Sequence, residues 1–116
     1  MKNRTLRGCG IVNGKSNELE IAKNLKMLDW LKAELAESVA ALFKALLEKG
    51  NEAVLDALAA IIIICYLIGQ RAGFSFLLVD NRIKEKLRIS INNAIEEDSW
   101  KKELSNLAIY LQKSKR

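Results

Sequence analysis

Apolar residues recur at intervals of three and four along most of this chain, the spacing of helices that bury one face. The first series runs Ile21, Leu25, Leu28, Leu35, Val39, Leu42 and Leu46. It predicts a helix from Asn17 to about Lys49, with a bend near Asp29. Asn17 can cap that helix, and Glu20 can complete a capping box. Gly50 ends the series, and Asn51 can cap a second helix from about Glu52 to Ala72. Gly73 stops the second helix, and Ser75 can cap a third that runs to about Arg88 on Leu78, Ile83 and Leu87. Residues 89–97 follow no single pattern. Ser99 can cap a fourth helix bearing Trp100, Leu104, Leu107, Ile109 and Leu111. Gly8, Gly10 and Gly14 break any period at the start, so residues 1–16 read as an arm or loop. Residues 114–116 read as a basic tail, which leaves 17–113 as a single helical domain. Four helical pieces without an internal repeat give an all-α, four-helix bundle-like unit.

The second helix carries the most informative pattern. From Ala57 to Ile68 it holds no charge, and only Tyr66 has a hydroxyl. The run covers the whole circumference of a helix, whereas a surface helix of a small monomer keeps a polar face. A membrane span needs about 18 to 20 apolar residues, and Gly69-Gln70-Arg71 follows this one. The expectation is therefore a buried helix in a soluble protein, without a membrane. Burying an isoleucine fully is worth roughly 1.5 to 3 kcal/mol, so subunit contacts should cover the Ile61–Ile64 cluster.

Composition agrees with helix throughout. The chain has 116 residues, no proline and 50% hydrophobic residues, enough for one core and too apolar for disorder. Its formal charge of +5 sits largely at the ends, on Lys2, Arg4 and Arg7 and on Lys113, Lys115 and Arg116. No dense basic stripe with interleaved aromatics is present, which argues against nucleic acid as the partner. Cys9 and Cys65 form no metal-binding or disulfide framework, and there is no histidine, so zinc is not expected. Residues 1–16 lack an apolar core of the signal-peptide kind, and a reducing cytoplasm is the expected compartment.

A metal site would have to be built from carboxylates, which suits Mg²⁺. Glu34-x-x-Glu37 lies in the first helix and Glu52-x-x-x-Asp56 opens the second. Antiparallel packing could bring these pairs together around Mg²⁺ on a nucleotide phosphate. Counted around the helix from Leu35, however, Glu34 lies about 100° away and Glu37 about 160°, which puts Glu37 among solvent-facing residues. Asp56 stands at the mouth of the apolar run, either as a ligand or as a first-turn acid complementing the helix dipole. Lys84, Lys86 and Arg88, in the strongest internal basic cluster, could grip phosphates or simply face solvent, with Asp80 and Lys84 as an i, i+4 pair. Trp30 and Trp100 could stack on a base or fill a core.

In order, the chain shows Lys32-Ala33-Glu34-Leu35-Ala36-Glu37, a Gly50-Asn51 turn, Leu55-Asp56-Ala57-Leu58-Ala59-Ala60, Gly73, and Asn81 to Arg88. Over roughly residues 24–88 this resembles the MazG-like members of the all-α nucleoside triphosphate pyrophosphohydrolase superfamily. The resemblance implies Mg²⁺ held on a triphosphate by two acidic pairs, with Glu34 and Glu37 as the first. Counting back from Gly73, Ala57 and Ala60 stand where the Glu and Asp of the second pair are expected. Asp56 falls on an additional preceding acid, and Ala33 replaces a leading Glu.

The resemblance also implies a homodimer or tetramer with the apolar helix at its centre, and nucleoside triphosphates as ligands. Two functions are compatible with these residues. One is a Mg²⁺-dependent pyrophosphohydrolase or nucleotide-binding homologue with a partly degraded metal site, using Glu34, Glu37 and Asp56 as ligands and Lys84, Lys86 or Arg88 near phosphate. The other is a catalytically inactive helical module for oligomerisation or partner binding.

Overall fold

A computed structural model describes residues 11–94 and 99–114, with side chains from Asn17 onward. Four helices follow in order, α1 (Ile11–Glu48), α2 (Asn51–Arg71), α3 (Phe76–Asn93) and α4 (Ser99–Ser114). No strand occurs among the described residues. The chain divides into two compact units, Met1–Gly73 and Phe74–Arg116. In the first, α1 packs on α2; in the second, α3 packs on α4.

The α1–α2 hairpin closes through a turn that the sequence places correctly and builds differently. Lys49, not Gly50, takes the left-handed conformation, with φ 61°. The Gly50 amide then donates to the Ala45 carbonyl at 3.1 Å, and the Val54 amide to the Gly50 carbonyl at 2.9 Å. Gly50 itself is the N-cap residue of α2 and offers no side chain, while Asn51 is the first helical residue rather than the cap. At the far end, Gly73 takes φ +103°, the conformation for which glycine is suited. Its amide donates to Gln70 and that of Ala72 to Ile68, which satisfies two of the last carbonyls of α2.

The antiparallel register is pinned by Asn24. Its Nδ2 donates to the Arg71 carbonyl at 3.0 Å, and Arg71 Nη1 donates back to Asn24 Oδ1 at 3.4 Å. Residues 24–48 of α1 thus lie along α2, and the part before Asn24 runs past its end. This corrects the expected core stripe. Among the described side chains of α1, Leu31 and Ala45 are buried, Leu28, Leu35, Val39 and Leu42 are half-buried, and Ile21, Leu25 and Leu46 are exposed. Ile21 lies beyond the reach of α2, and the packed face is rotated toward Leu31. The helix also begins earlier than expected: residues 11–16 belong to α1 despite Gly14, while the rest of the expected arm, residues 1–10, lies outside the described residues.

In the second unit Ser75 caps α3 as expected, its Oγ accepting from the Leu78 amide at 3.1 Å. The helix continues through Asn93, so part of the unassigned 89–97 stretch is helical, and residues 95–98 lie outside the described set. Leu87 and Leu104 are buried. Ile83 and Leu111 are half-buried, whereas Leu78, Trp100, Leu107 and Ile109 are exposed.

The twelve-residue apolar run sits inside a longer helix. By length and composition α2 is able to cross a membrane, so the run's shortness does not exclude one. Only Ala57 and Ile64 of α2 are buried in the hairpin.

Candidate functional site

The faces that α1 and α2 turn toward each other decide what the acidic pairs can do. On α1 that face carries Leu31, Glu34, Leu35, Ser38, Val39, Leu42 and Ala45; on α2 it carries Val54, Ala57, Ala60, Ile61, Ile64 and Ile68. Glu34 is half-buried there. Glu37, Glu52 and Asp56 are exposed. Ala57, at 7% exposure, and half-buried Ala60 thus occupy the α1-facing side of α2, the side a converging acidic pair would need. A carboxylate buried there without a cation would be costly, and alanine removes that cost while letting the helices close.

The residues present do not fit a Mg²⁺ centre within one chain. No group of three or more His, Cys, Asp or Glu side chains close enough to hold a metal ion occurs among the described residues. Within the single chain Glu34, Glu37 and Asp56 form no such group: Ala57 and Ala60 hold the α1-facing positions of α2, and Asp56 is exposed.

Lys84, Lys86 and Arg88 are all exposed on α3, and the helix distributes them to different sides. Lys84 and Arg88 line one groove with Leu87, Ala108 and Gln112. Lys86 lines another with Phe74, Leu78, Val79, Arg82 and Ile83. Arg82 is held by Glu85, Nε to Oε1 at 3.4 Å. A single phosphate could not meet all three candidates.

A different basic site forms at the end of the first hairpin away from its turn. Glu20, Lys23, Lys26, Met27 and Trp30 project from one side of α1, and Arg71 arrives from the end of α2 to complete a groove of about 510 Å³. The spacing by threes and fours of Glu20, Lys23, Lys26, Met27 and Trp30 was visible in the sequence. Arg71 was not, because its place depends on the register that Asn24 sets.

These features describe an all-α protein built from two helical hairpins, the first with an apolar seam in place of an acidic centre. A family model described as the MazG-like family matches residues 21–104, and the chain belongs to that family. No curated protein and no solved structure is matched by the chain.

Proposed function

We propose that this protein is a self-assembling helical module of the MazG-like family, without the family's Mg²⁺-dependent pyrophosphohydrolase chemistry. The observation that carries this reading is the outward face of α2. Leu55, Leu58, Ile62, Ile63 and Leu67 are exposed in the single chain, Ile62 and Ile63 each at 57%. Covering what remains open would return about 1 kcal/mol for each, or roughly 5 kcal/mol together. Phe43, Leu46 and Leu47 of α1 add to the same need. A second copy supplies a matching apolar surface by symmetry. The expected state is a homodimer or tetramer.

Sedimentation velocity over a concentration series tests this. The wild-type chain should sediment as a dimer or larger, and Leu55→Lys/Ile62→Lys should weaken association at least tenfold. A chain that is monomeric at every accessible concentration, or one that floats with lipid vesicles instead of self-associating, refutes the reading.

The second reading retains chemistry. Its support is Glu34, half-buried on the face toward α2, which would act with Glu37 and Asp56 on Mg²⁺ and a nucleoside triphosphate. Mg²⁺-dependent pyrophosphate release that Glu34→Gln abolishes would establish it. No release from any triphosphate tested would remove it.

A further inference from the structure

We infer that the groove at the open end of the α1–α2 hairpin binds a small planar aromatic anion directly, through Trp30 and the cations Lys23, Lys26 and Arg71, without a divalent metal. The groove offers three cations against one acid, Glu20. Neither Lys23 nor Lys26 has an ion-pair partner among the described residues. The Arg71 guanidinium is tethered rather than loose, since Asn24 accepts from Nη1 while donating to the Arg71 carbonyl. That leaves further guanidinium N–H groups to meet a phosphate or carboxylate in the paired geometry arginine favours.

The end of a helix is ordinarily a poor place for an anion, because its last carbonyls carry partial negative charge. Here the carbonyls of Ile68, Gln70 and Arg71 are already engaged, by the Ala72 amide, the Gly73 amide and the Asn24 side chain. That leaves fewer orphan carbonyls at this helix end. Trp30 supplies the second half of the specificity. Trp30 is 55% exposed and lines the groove with Met27, where the other lining residues are charged. A ring stacked on it gains contact that an inorganic anion cannot, and Lys23, Lys26 and Arg71 line the same groove for the acidic substituents. The ligand is thus a flat ring bearing about two negative charges, whether delivered by a phosphate or by a pair of carboxylates.

Calorimetry of the full chain in chelator-treated buffer, with guanosine monophosphate and with benzene-1,2-dicarboxylate as separate probes, tests the inference. Trp100→Phe isolates the Trp30 fluorescence for a parallel titration. Saturable heat with quenching of Trp30 by either probe is the expected result, and the probe that binds identifies the phosphate or the carboxylate as the anion. Lys23→Glu/Lys26→Glu should weaken binding about tenfold or more. Trp30→Leu should abolish any preference over inorganic phosphate. Binding should persist in Leu55→Lys/Ile62→Lys, since the groove belongs to one hairpin, so its failure is separable from that of the assembly reading. The inference is overturned if neither probe binds saturably, if binding requires added Mg²⁺, or if the double charge reversal leaves affinity unchanged. All the substituted side chains are exposed, and unchanged far-UV circular dichroism will show that the variants fold.

Discussion

Placing acids on the α1-facing side of α2, as Ala57→Glu/Ala60→Asp, gives the sharpest test of what the alanines there contribute. Ala57 is 7% exposed on the side of α2 toward α1, where the Asn24–Arg71 register sets it near Ser38, and half-buried Ala60 lies a turn on, nearer half-buried Glu34. A carboxylate placed there unpaired should cost about 3 kcal/mol, and the half-buried Ala60 position, nearer Glu34, about 1 kcal/mol more. About 4 kcal/mol is a large share of a typical stability of about 5 to 15 kcal/mol. For a chain of this size it corresponds to a fall in melting temperature of about 15 °C. Acid should reduce the loss, because protonating the new carboxyls removes the buried charge; stability of the variant relative to wild type should therefore rise as pH falls. Mg²⁺ at about 100 times its dissociation constant should restore about 2.7 kcal/mol in the variant, and Glu34→Gln should abolish the rescue. Differential scanning calorimetry with and without Mg²⁺ reads all of this. The reasoning is refuted if the double variant melts with wild type, or if wild type itself shows a saturable Mg²⁺ shift that Glu34→Gln removes.

Three further substitutions probe the scaffold by thermal melting. Ser75→Ala removes the side chain that accepts from the Leu78 amide and should cost about 1 kcal/mol. Gly73→Ala meets no atom within 4 Å but forces a side chain onto φ +103°, so it should destabilise by about 1–2 kcal/mol through backbone strain alone. Lys49→Gly relieves the strain at φ 61° against a smaller entropic cost in the unfolded chain, and should stabilise by about 0.5–1 kcal/mol.

Helix type and number were legible because the chain keeps one period and punctuates it with Gly50, Gly73 and Ser75. The orientation of each face was less so. Ile21, Leu25 and Leu46 share a spacing with Leu28 and Val39, yet Ile21 lies past the Asn24–Arg71 end of the hairpin and Leu25 and Leu46 fall off the face that α2 covers. The same limit governed the site. Counting around the helix placed Glu37 correctly in solvent, and the family resemblance pointed to Ala57 and Ala60 as the positions expected to hold acids. The half-buried position of Glu34 needed the partner helix. Gly14 illustrates the opposite failure, since one glycine costs a helix only about 1 kcal/mol and did not stop α1 from starting at Ile11.

The two faces of α2 answer to separate pressures, and this makes the absence of acids on one and the self-association proposed for the other independent statements. On the inner face, Ala57, Ala60 and Ile64 close against α1 by apolar contact and require no ion. On the outer face, Leu55, Ile62 and Ile63 remain uncovered whatever the inner face carries. A helix apolar on both faces is covered on one by its own hairpin, and the proposed assembly covers the other with a second copy. Changes on each face should consequently register in different measurements. Ala57→Glu/Ala60→Asp should lower the melting temperature and leave the association state of the folded protein intact. Leu55→Lys/Ile62→Lys should shift sedimentation toward the monomer while far-UV circular dichroism at low temperature stays helical. If the inner-face variant dissociates the assembly without loss of stability, α2 presents to its partner the side assigned here to α1, and the hairpin is not the unit from which the protein is built.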